Sequence, residues 1–212
     1  MAYFPILIDW QGVPCLIAGG GAVALHKARL LCGHGADVTV TAPEICPQLE
    51  ELPVKLCRRP VTAEDVNGQC LVIDATGDGE AERMLSVACR ERHVPFNSAC
   101  RGGDGTVVFP AVRRKGRTML AVSTLGASPA ACALLGDRLA ACIPDGIDPI
   151  LEEMAALRPL SREWFGDQPT RKRFLHRCLD DMMEKERLLE PEEIERIRQE
   201  ITGMEKTEEE EK

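Results

Sequence analysis

The stretch of sequence that decides the fold is VPCLIAGGGAVALHKARLLCGHGADVTVT, residues 13–41. It opens with a short apolar run that meets three consecutive glycines. The segment after the glycines has the spacing of a helix that ends at Gly33 and Gly35, and DVTVT at residues 37–41 alternates as a strand does. A strand, a glycine turn, a helix and a second strand within about 30 residues predict a βαβ unit.

The alternation of apolar runs and helical segments continues downstream. Further strands are predicted at residues 54–57, 70–75 and 94–97, with a helical turn at 63–66 and a helix at 80–92. The run CLVIDA, residues 70–75, is almost entirely apolar, as expected of a strand that is buried on both faces. These elements predict an α/β fold with a Rossmann-like, doubly wound parallel sheet and helices on both faces.

The pattern changes near Pro110. Strands at 106–109 and 118–123 flank the basic stretch RRKGR, residues 113–117, and predict a hairpin with a basic turn. Ser128-Pro129 marks a helix start, because Ser is a preferred N-cap and Pro a preferred first helical residue. The rest predicts a short helix between Pro144 and Pro159, an amphipathic helix at 170–188, a last helix from Pro191 and a disordered acidic tail at 206–212.

The glycine turn fits G-x-G-x-x-A, with Gly19, Gly21 and Ala24 at the three fixed positions. Between a strand and a helix, this motif indicates a dinucleotide site in which the pyrophosphate meets the helix N-terminus. The alternative is a glycine turn that binds nothing. The acidic ribose ligand is expected about 20 residues on, at Thr41, whereas the nearest carboxylate is Glu44. No acid is therefore placed to select NAD, and no arginine beside Thr41 favours a 2′-phosphate; we expect NAD, with NADP as the open alternative.

Two polar segments of the second half are candidate anion contacts. Arg113, Arg114 and Arg117 present guanidinium forks suited to carboxylates, although a solvated basic turn is an equal alternative. The loop with Ser123, Thr124 and Ser128 runs into a helix N-terminus and can present hydroxyl and N–H groups to carboxylates. Its alternative is a simple capped helix.

Composition narrows the function classes. The 212 residues are 44% hydrophobic and 28% charged with a net charge of −8, which excludes a disordered chain and argues against a nucleic-acid coat. No apolar stretch is long enough to span a bilayer, and the start lacks the pattern of a signal peptide. The ten cysteines show no CxxC spacing, so we expect no metal site, structural reduced thiols and a cytoplasmic location. The four histidines lie far apart in sequence and are expected at surface or packing positions.

Several segments together resemble the siroheme synthase family. They are YFPILID at 3–9, GGGAVALHKARLL at 19–31, VTVTAPE at 38–44, DAT at 74–76, PFN at 95–97, FPA at 109–111 and AVSTLGASPAACALL at 121–135. The resemblance covers residues 1–142, with a looser helical tail beyond, and it is far more specific than the glycine motif alone. The family contains precorrin-2 dehydrogenases, some of which are also sirohydrochlorin ferrochelatases.

The resemblance implies an arrangement of domains and a set of site residues. It implies an NAD-binding domain at 1–112, a dimerisation segment at 113–142 and a helical domain at 143–205, and therefore a homodimer. The substrate would be precorrin-2, a tetrapyrrole with eight carboxylates, and no nucleic acid or membrane partner is expected. The residues expected to bind the cofactor are Gly19, Gly20, Gly21, Ala22, Val23, Pro43, Glu44 and Thr76. Those expected to bind the substrate are Asn97, Arg113, Arg114, Arg117, Ser123, Thr124 and Ser128.

One departure from the family bears on catalysis. Cys100 stands where the family has an aspartate credited with proton handling or metal delivery, and the carboxylate closest to it in sequence is Asp104. A thiol is mostly neutral where a carboxylate is an anion. We therefore expect an NAD-dependent precorrin-2 dehydrogenase with weak or absent chelatase activity, with Asp104 and Cys100 as candidate catalytic residues. A bifunctional dehydrogenase–ferrochelatase and a non-catalytic NAD- and tetrapyrrole-binding carrier or sensor are the alternatives.

Overall fold

The computed structural model describes residues 3–99 and 105–210, and of residues 204–210 it describes the backbone alone. The chain divides into two compact units, residues 1–109 and 110–212. The first unit contains β1 (Pro14–Ala18), α1 (Ala22–Cys32), β2 (Asp37–Thr41), the one-turn helix α2 (Pro47–Glu50), β3 (Lys55–Cys57), a 3-10 turn (Ala63–Val66), β4 (Leu71–Asp74), α3 (Gly79–Glu91) and β5 (Phe96–Ser98).

The described strands of the first unit form a parallel sheet in the order β3-β2-β1-β4-β5, which confirms the Rossmann-like fold class. The central strand β1 pairs with β2 on one side and β4 on the other, and its last residue, Ala18, is in register with Thr41 and Asp74. Because the strands are parallel, their carboxyl ends share one edge of the sheet, and the loops that follow β1, β2, β4 and β5 begin there.

Both faces of the sheet are covered, which explains why β1 and β4 are apolar throughout. One face buries Ile17, Val40 and Ile73 with Ala24 and Ala28 of α1. The other face forms a second cluster in which Leu16 and Val72 pack with Leu85 of α3. Each buried Leu or Ile stabilises the fold by about 1.5–3 kcal/mol relative to an exposed one.

The second unit joins a hairpin to four helices. Its elements are β6 (Ala111–Lys115), β7 (Thr118–Val122), α4 (Pro129–Ala141), α5 (Ile147–Trp164), α6 (Gln168–Lys185) and α7 (Pro191–Glu210). Helix α4 begins as predicted, because the Ser128 hydroxyl oxygen accepts a hydrogen bond from the Ala131 N–H at 3.1 Å. Phe174 and Cys178 of α6 and Ile197 of α7 are almost fully buried in the core that α5, α6 and α7 share.

Two predictions about the hairpin are wrong. Residues 106–109 are not a strand; the N–H groups of Thr106 and Val107 both donate to the Phe96 carbonyl, which leaves no regular ladder. The basic residues Arg113, Arg114 and Lys115 lie on β6 itself, opposite β7, and the turn is only the Gly116 region, where φ is +54°. Exposure alternates along β6, so Arg114 lies on the more exposed face and Arg113 and Lys115 lie on the opposite face.

Two predictions about the helices are also wrong. Helix α5 continues through Pro159 to Trp164 instead of ending at the proline. Pro159 is exposed, so water can satisfy the carbonyl group that the ring cannot bond. Helix α7 extends to Glu210 and includes residues 206–210, which the sequence predicted as disordered; lysine and glutamate are good helix formers.

Nine cysteines lie in the described part of the chain, and all are free thiols. Burial raises the pKa of the Cys15 and Cys178 thiols to about 12, so both are neutral packing groups. No helix among residues 3–99 and 105–210 combines the length and the apolar character needed to cross a bilayer.

Candidate functional site

The carboxyl edge of the parallel sheet brings the loops after β2 and β4 against the glycine turn. The Gly19 N–H donates to the Thr41 carbonyl at 2.9 Å, which ties the turn to the end of β2. Gly19 has a φ of +118°, and a side chain there would place its Cβ 2.6 Å from the carbonyl carbon of Ala75, in the loop after β4. Only glycine fits both the backbone angle and the space.

Gly20 is held by the loop after β2. The Cys46 N–H donates to the Gly20 carbonyl at 2.9 Å, and a Cβ at Gly20 would lie 2.9 Å from the carbonyl carbon of Glu44. This contact brings the exposed Pro43 and Glu44, in the loop after β2, beside the glycine turn. The structure thus collects the predicted cofactor residues of two loops at one place.

Gly21 differs from Gly19 and Gly20 because it faces open space. Nothing lies within 4 Å of the position that its Cβ would take. Gly21 is the N-cap of α1, yet no side chain caps this helix and its first turn holds no acidic residue. The unpaired N–H groups and the positive end of the helix dipole are therefore available to an anion such as a phosphate.

Ala22 and Val23 continue this open surface, whereas Ala24 closes it. Both Ala22 and Val23 are exposed at the start of α1, but Ala24 is fully buried against the sheet. The small Ala24 side chain allows the helix to approach β1 closely. The geometry matches the role that the G-x-G-x-x-A motif assigns to each position.

Thr76 is fixed in the loop after β4 by two aspartates. Its hydroxyl donates to Asp74 Oδ1 at 2.7 Å, and its oxygen accepts from the Asp78 N–H at 3.1 Å. The Asp78 carboxylate in turn caps α3 by accepting from the Glu80 N–H at 2.9 Å. The loop is thus pre-formed, and its polar groups bond mainly to one another.

Asp74 is a buried carboxyl group that the sequence-based site did not include. It is 1% exposed, and burial, reinforced by the nearby Glu82 and Asp78, raises its pKa although Thr76 donates to it. Among the described residues, its Oδ2 has no hydrogen-bond partner, and the same holds for Thr41 Oγ1 and Asn97 Oδ1. The sequence did contain a signal for Asp74, because an acidic residue directly follows the apolar run at 70–73.

Asn97 is largely buried at the end of β5. It is 7% exposed, and its Nδ2 donates to the Val107 carbonyl at 2.8 Å. A second group that the sequence did not single out is Lys27, whose Nζ lies 4.1 Å from the centre of the Phe109 ring and whose pKa burial lowers. Cys100 and Asp104 lie outside the described residues.

The basic residues on and beside β6 are mostly engaged within their own unit. Arg113 pairs with Asp137 at 2.6 Å, and Arg117 pairs with Glu152 at 3.1 Å. Arg114 has no ion pair among the described residues. An anionic ligand would therefore meet Arg114 freely but would compete with carboxylates for Arg113 and Arg117.

The hydroxyl loop before α4 is organised as a helix cap. Thr124 Oγ1 accepts from the Ser128 N–H at 3.0 Å, and the Ser123 hydroxyl oxygen accepts from the Leu125 N–H at 3.1 Å. The structure therefore displays the capped helix that was the alternative reading of this loop. In the described parts of both units, no three His, Cys, Asp or Glu side chains meet in a group able to hold a metal ion.

Comparison with known families identifies the first unit. Residues 6–111, half of the chain, match the family described as "Putative NAD(P)-binding". The matched range contains the glycine turn, the two loops that contact it and the described parallel sheet.

Individual relatives extend the similarity into the second unit. The chain is 33% identical over 184 residues to the siroheme synthase of Methylococcus capsulatus, covering 85% of this chain and 39% of that protein. It is also 33% identical over 187 residues to the siroheme synthase of Nitrosomonas europaea, covering 84% and 39%. The chain thus spans about two fifths of the length of these curated relatives.

A solved structure titled "SirC, precorrin-2 dehydrogenase" shares the fold. The similarity has a TM-score of 0.68 at 22% sequence identity, and it covers 95% of this chain and 100% of that one. The coverage includes the hairpin and the helices that follow the sheet, so the two-part fold as a whole matches.

Proposed function

The chain belongs to the NAD(P)-binding family, and we propose that it is an NAD-dependent precorrin-2 dehydrogenase that makes sirohydrochlorin for siroheme biosynthesis. The observation that carries the proposal is the open N-terminus of α1, next to loops that Gly19 and Gly20 hold in place, in a chain similar to siroheme synthases over 85% of its length. We also propose a cytoplasmic location, the location expected for an enzyme of siroheme biosynthesis.

The cofactor that we propose is NAD. Gly19, Gly20 and Gly21, with the first amides of Ala22 and Val23, would hold the pyrophosphate. Glu44 is exposed beside Gly20, and its carboxylate would accept hydrogen bonds from ribose hydroxyls and repel the extra phosphate of NADP. Pro43 and Thr76 would line the same site on the β2 and β4 sides.

The reaction converts precorrin-2 and NAD⁺ to sirohydrochlorin, NADH and a proton. Bound NAD supplies the acceptor for the hydride. What the chain contributes is the alignment of the two rings, which can account for much of the rate increase without a strongly acidic or basic side chain. We propose Asp104 and Cys100 as the residues that handle the departing proton. Loss of Asp104 should slow turnover more than loss of Cys100.

We propose that carboxylates of the substrate bind the second unit. Arg114 is the strongest candidate, because it has no ion pair among the described residues. Arg113 and Arg117 would exchange their present carboxylate partners for those of the substrate. Asn97 and the hydroxyls of Ser123, Thr124 and Ser128 are proposed as further contacts.

We also propose that residues 113–142 form the interface of a homodimer. Helix α4 buries Cys132 but exposes Leu134, Leu135 and Leu139. These leucines share the segment with an exposed leucine in the loop before α4, at position 125. Large exposed apolar side chains gathered in one segment favour association with a second copy of the chain. A monomeric mass at micromolar concentration in solution would contradict this proposal.

The test is to incubate the purified chain with precorrin-2 and NAD and to follow absorbance. We expect equimolar NADH and sirohydrochlorin, and little metal insertion when ferrous iron is then added. Tight binding of both ligands without NADH would instead identify a carrier. Efficient iron insertion would identify a bifunctional dehydrogenase–ferrochelatase.

A further inference from the structure

Helices α5 and α6 of the second unit enclose an open cavity of about 470 Å³. Arg158 and Arg162, one turn apart on α5, line it on one side, and the adjacent Arg171 and Lys172 of α6 line it on the other. No aspartate or glutamate of the described chain lines the cavity. Four cations therefore share one cavity in a protein whose net charge is −8.

These four cations differ from other basic residues of α6 and α7. Arg177 pairs with Asp181 at 3.1 Å, Lys185 with Glu193 at 2.9 Å, and Arg198 with Glu195 at 3.0 Å. In contrast, no carboxylate of the described residues lies within ion-pair distance of the four cavity cations. Like charges at i and i+4 destabilise a helix, so an unneutralised cluster costs free energy unless an anion binds there.

The floor of the cavity is apolar. Met154 of α5 and Leu175 and Leu179 of α6 are partly buried below the cations and pack against the helical core. The one buried hydroxyl in the lining, that of Ser161, already donates to the Arg158 carbonyl at 2.8 Å. A cationic rim over an apolar floor fits a ligand that carries several anionic groups on an apolar body, and it fits a free inorganic anion less well.

We propose that α5 and α6 form a binding site for a polycarboxylate with an apolar ring system. The guanidinium forks would bind carboxylates in pairs, and the floor would contact the ring. The existence of the site follows from α5 and α6 alone. Its assignment to a tetrapyrrole with eight carboxylates rests on the proposed function. Under that function, the site between α5 and α6 would hold the substrate or the product.

The first experiment titrates the full chain with uroporphyrin, an octacarboxylate macrocycle that fluoresces. The test variants are Arg158→Gln with Arg162→Gln, and Arg171→Gln with Lys172→Gln. The matched control is Arg177→Gln with Arg196→Gln, two exposed arginines that already have carboxylate partners. Each test pair should weaken binding about tenfold or more, and the control less than about twofold. Equal affinities in all variants would overturn the site.

The second experiment locates the ligand on the wild-type chain, so it does not depend on the folding of variants. Phenylglyoxal modifies accessible arginines, and peptide mass spectrometry reports each one. Uroporphyrin should protect Arg158, Arg162 and Arg171 but not Arg177 and Arg196. No protection, or equal protection by inorganic pyrophosphate at the same concentration, would overturn a carboxylate site.

The two proposals fail in different ways. Protection of the cavity arginines by uroporphyrin in a protein that does not oxidise precorrin-2 would support the site and overturn the proposed dehydrogenase. Turnover of precorrin-2 without protection would support the dehydrogenase and overturn the site.

Discussion

The starts of α1 and α3 are two versions of one structural unit. Each helix follows a central strand of the same parallel sheet and begins at its carboxyl edge. At α3, the Asp78 carboxylate caps the helix, and Glu80 and Glu82 lie in the first turn. At α1, the N-cap is Gly21, no side chain bonds to the free amides, and no acid is present in the first turn.

The difference shows how one strand–turn–helix unit serves either structure or binding. Carboxylates at α3 neutralise the helix dipole and satisfy the first amides from within the chain. At α1 the same dipole and amides remain available, and Gly21 leaves the space in front of them open. We therefore expect substitutions at the two positions to have opposite consequences for stability and for cofactor binding.

The largest expected effect comes from making α1 resemble α3. Gly21 has the extended backbone of an N-cap, with φ −92° and ψ −164°, so Gly21→Asp should cap the helix without strain. The new carboxylate would repel the pyrophosphate, and we expect NAD affinity to fall about 100-fold, or about 2.7 kcal/mol. Calorimetric titration with NAD measures the affinity.

Gly21→Ser is the matched control, because it supplies a cap without a charge and should bind NAD better than the aspartate variant. Equal NAD affinity in Gly21→Asp and wild type would place the dinucleotide elsewhere.

The second effect is a difference in stability between variants of two adjacent glycines, Gly20 and Gly21. Gly20→Ala forces a Cβ against the Glu44 backbone, and we expect a loss of about 2 kcal/mol in the free energy of unfolding. Gly21→Ala meets open space and loses only the N-cap preference of glycine over alanine, so it should cost less than about 1 kcal/mol. Urea denaturation compares the two variants, and equal stabilities would contradict the packing of the β2 loop on Gly20.

The third effect tests the capped helix. Asp78→Ala removes the bond to the Glu80 N–H and should cost about 1 kcal/mol of stability, with NAD affinity unchanged. Asp78→Asn, which keeps an oxygen acceptor, should retain most of the stability. A large loss of NAD affinity in Asp78→Ala would mean that the α3 end also belongs to the cofactor site.

The smallest effect concerns Asp74, the buried acid at the end of β4. Because burial raises the pKa of Asp74 above its ordinary 3.8, the folded state binds this proton more tightly than the unfolded state. Stability due to Asp74 is therefore present below 3.8 and is lost as the pH rises through the raised pKa. Asp74→Asn should gain stability relative to wild type between acidic and neutral pH.

Urea denaturation of wild type and Asp74→Asn across that pH range measures the difference in their free energies of unfolding. A constant difference between wild type and Asp74→Asn would mean that Asp74 is ionised alike in both states.

Much of the first unit was predictable because its signals are local. The strand–glycine–helix order of residues 13–41 and the apolar run before Asp74 report burial directly, and both are confirmed. Predictions failed where neighbours decide the outcome. Residues 106–109 have strand-like composition but lack a regular partner, and Pro159 does not end α5 because its lost hydrogen bond faces solvent.

The sequence alone determined the fold class, the position of the glycine turn and the start of α4, because each depends on residues close together in the chain. The tertiary structure decided why Gly19 and Gly20 must be glycine, since the atoms they would meet belong to loops 24 or more residues away. It also decided which cations are free: distant carboxylates neutralise Arg113 and Arg117, whereas none of those described reaches the cations between α5 and α6. Charge pairing is a property of distances between elements, and the order of residues does not contain those distances.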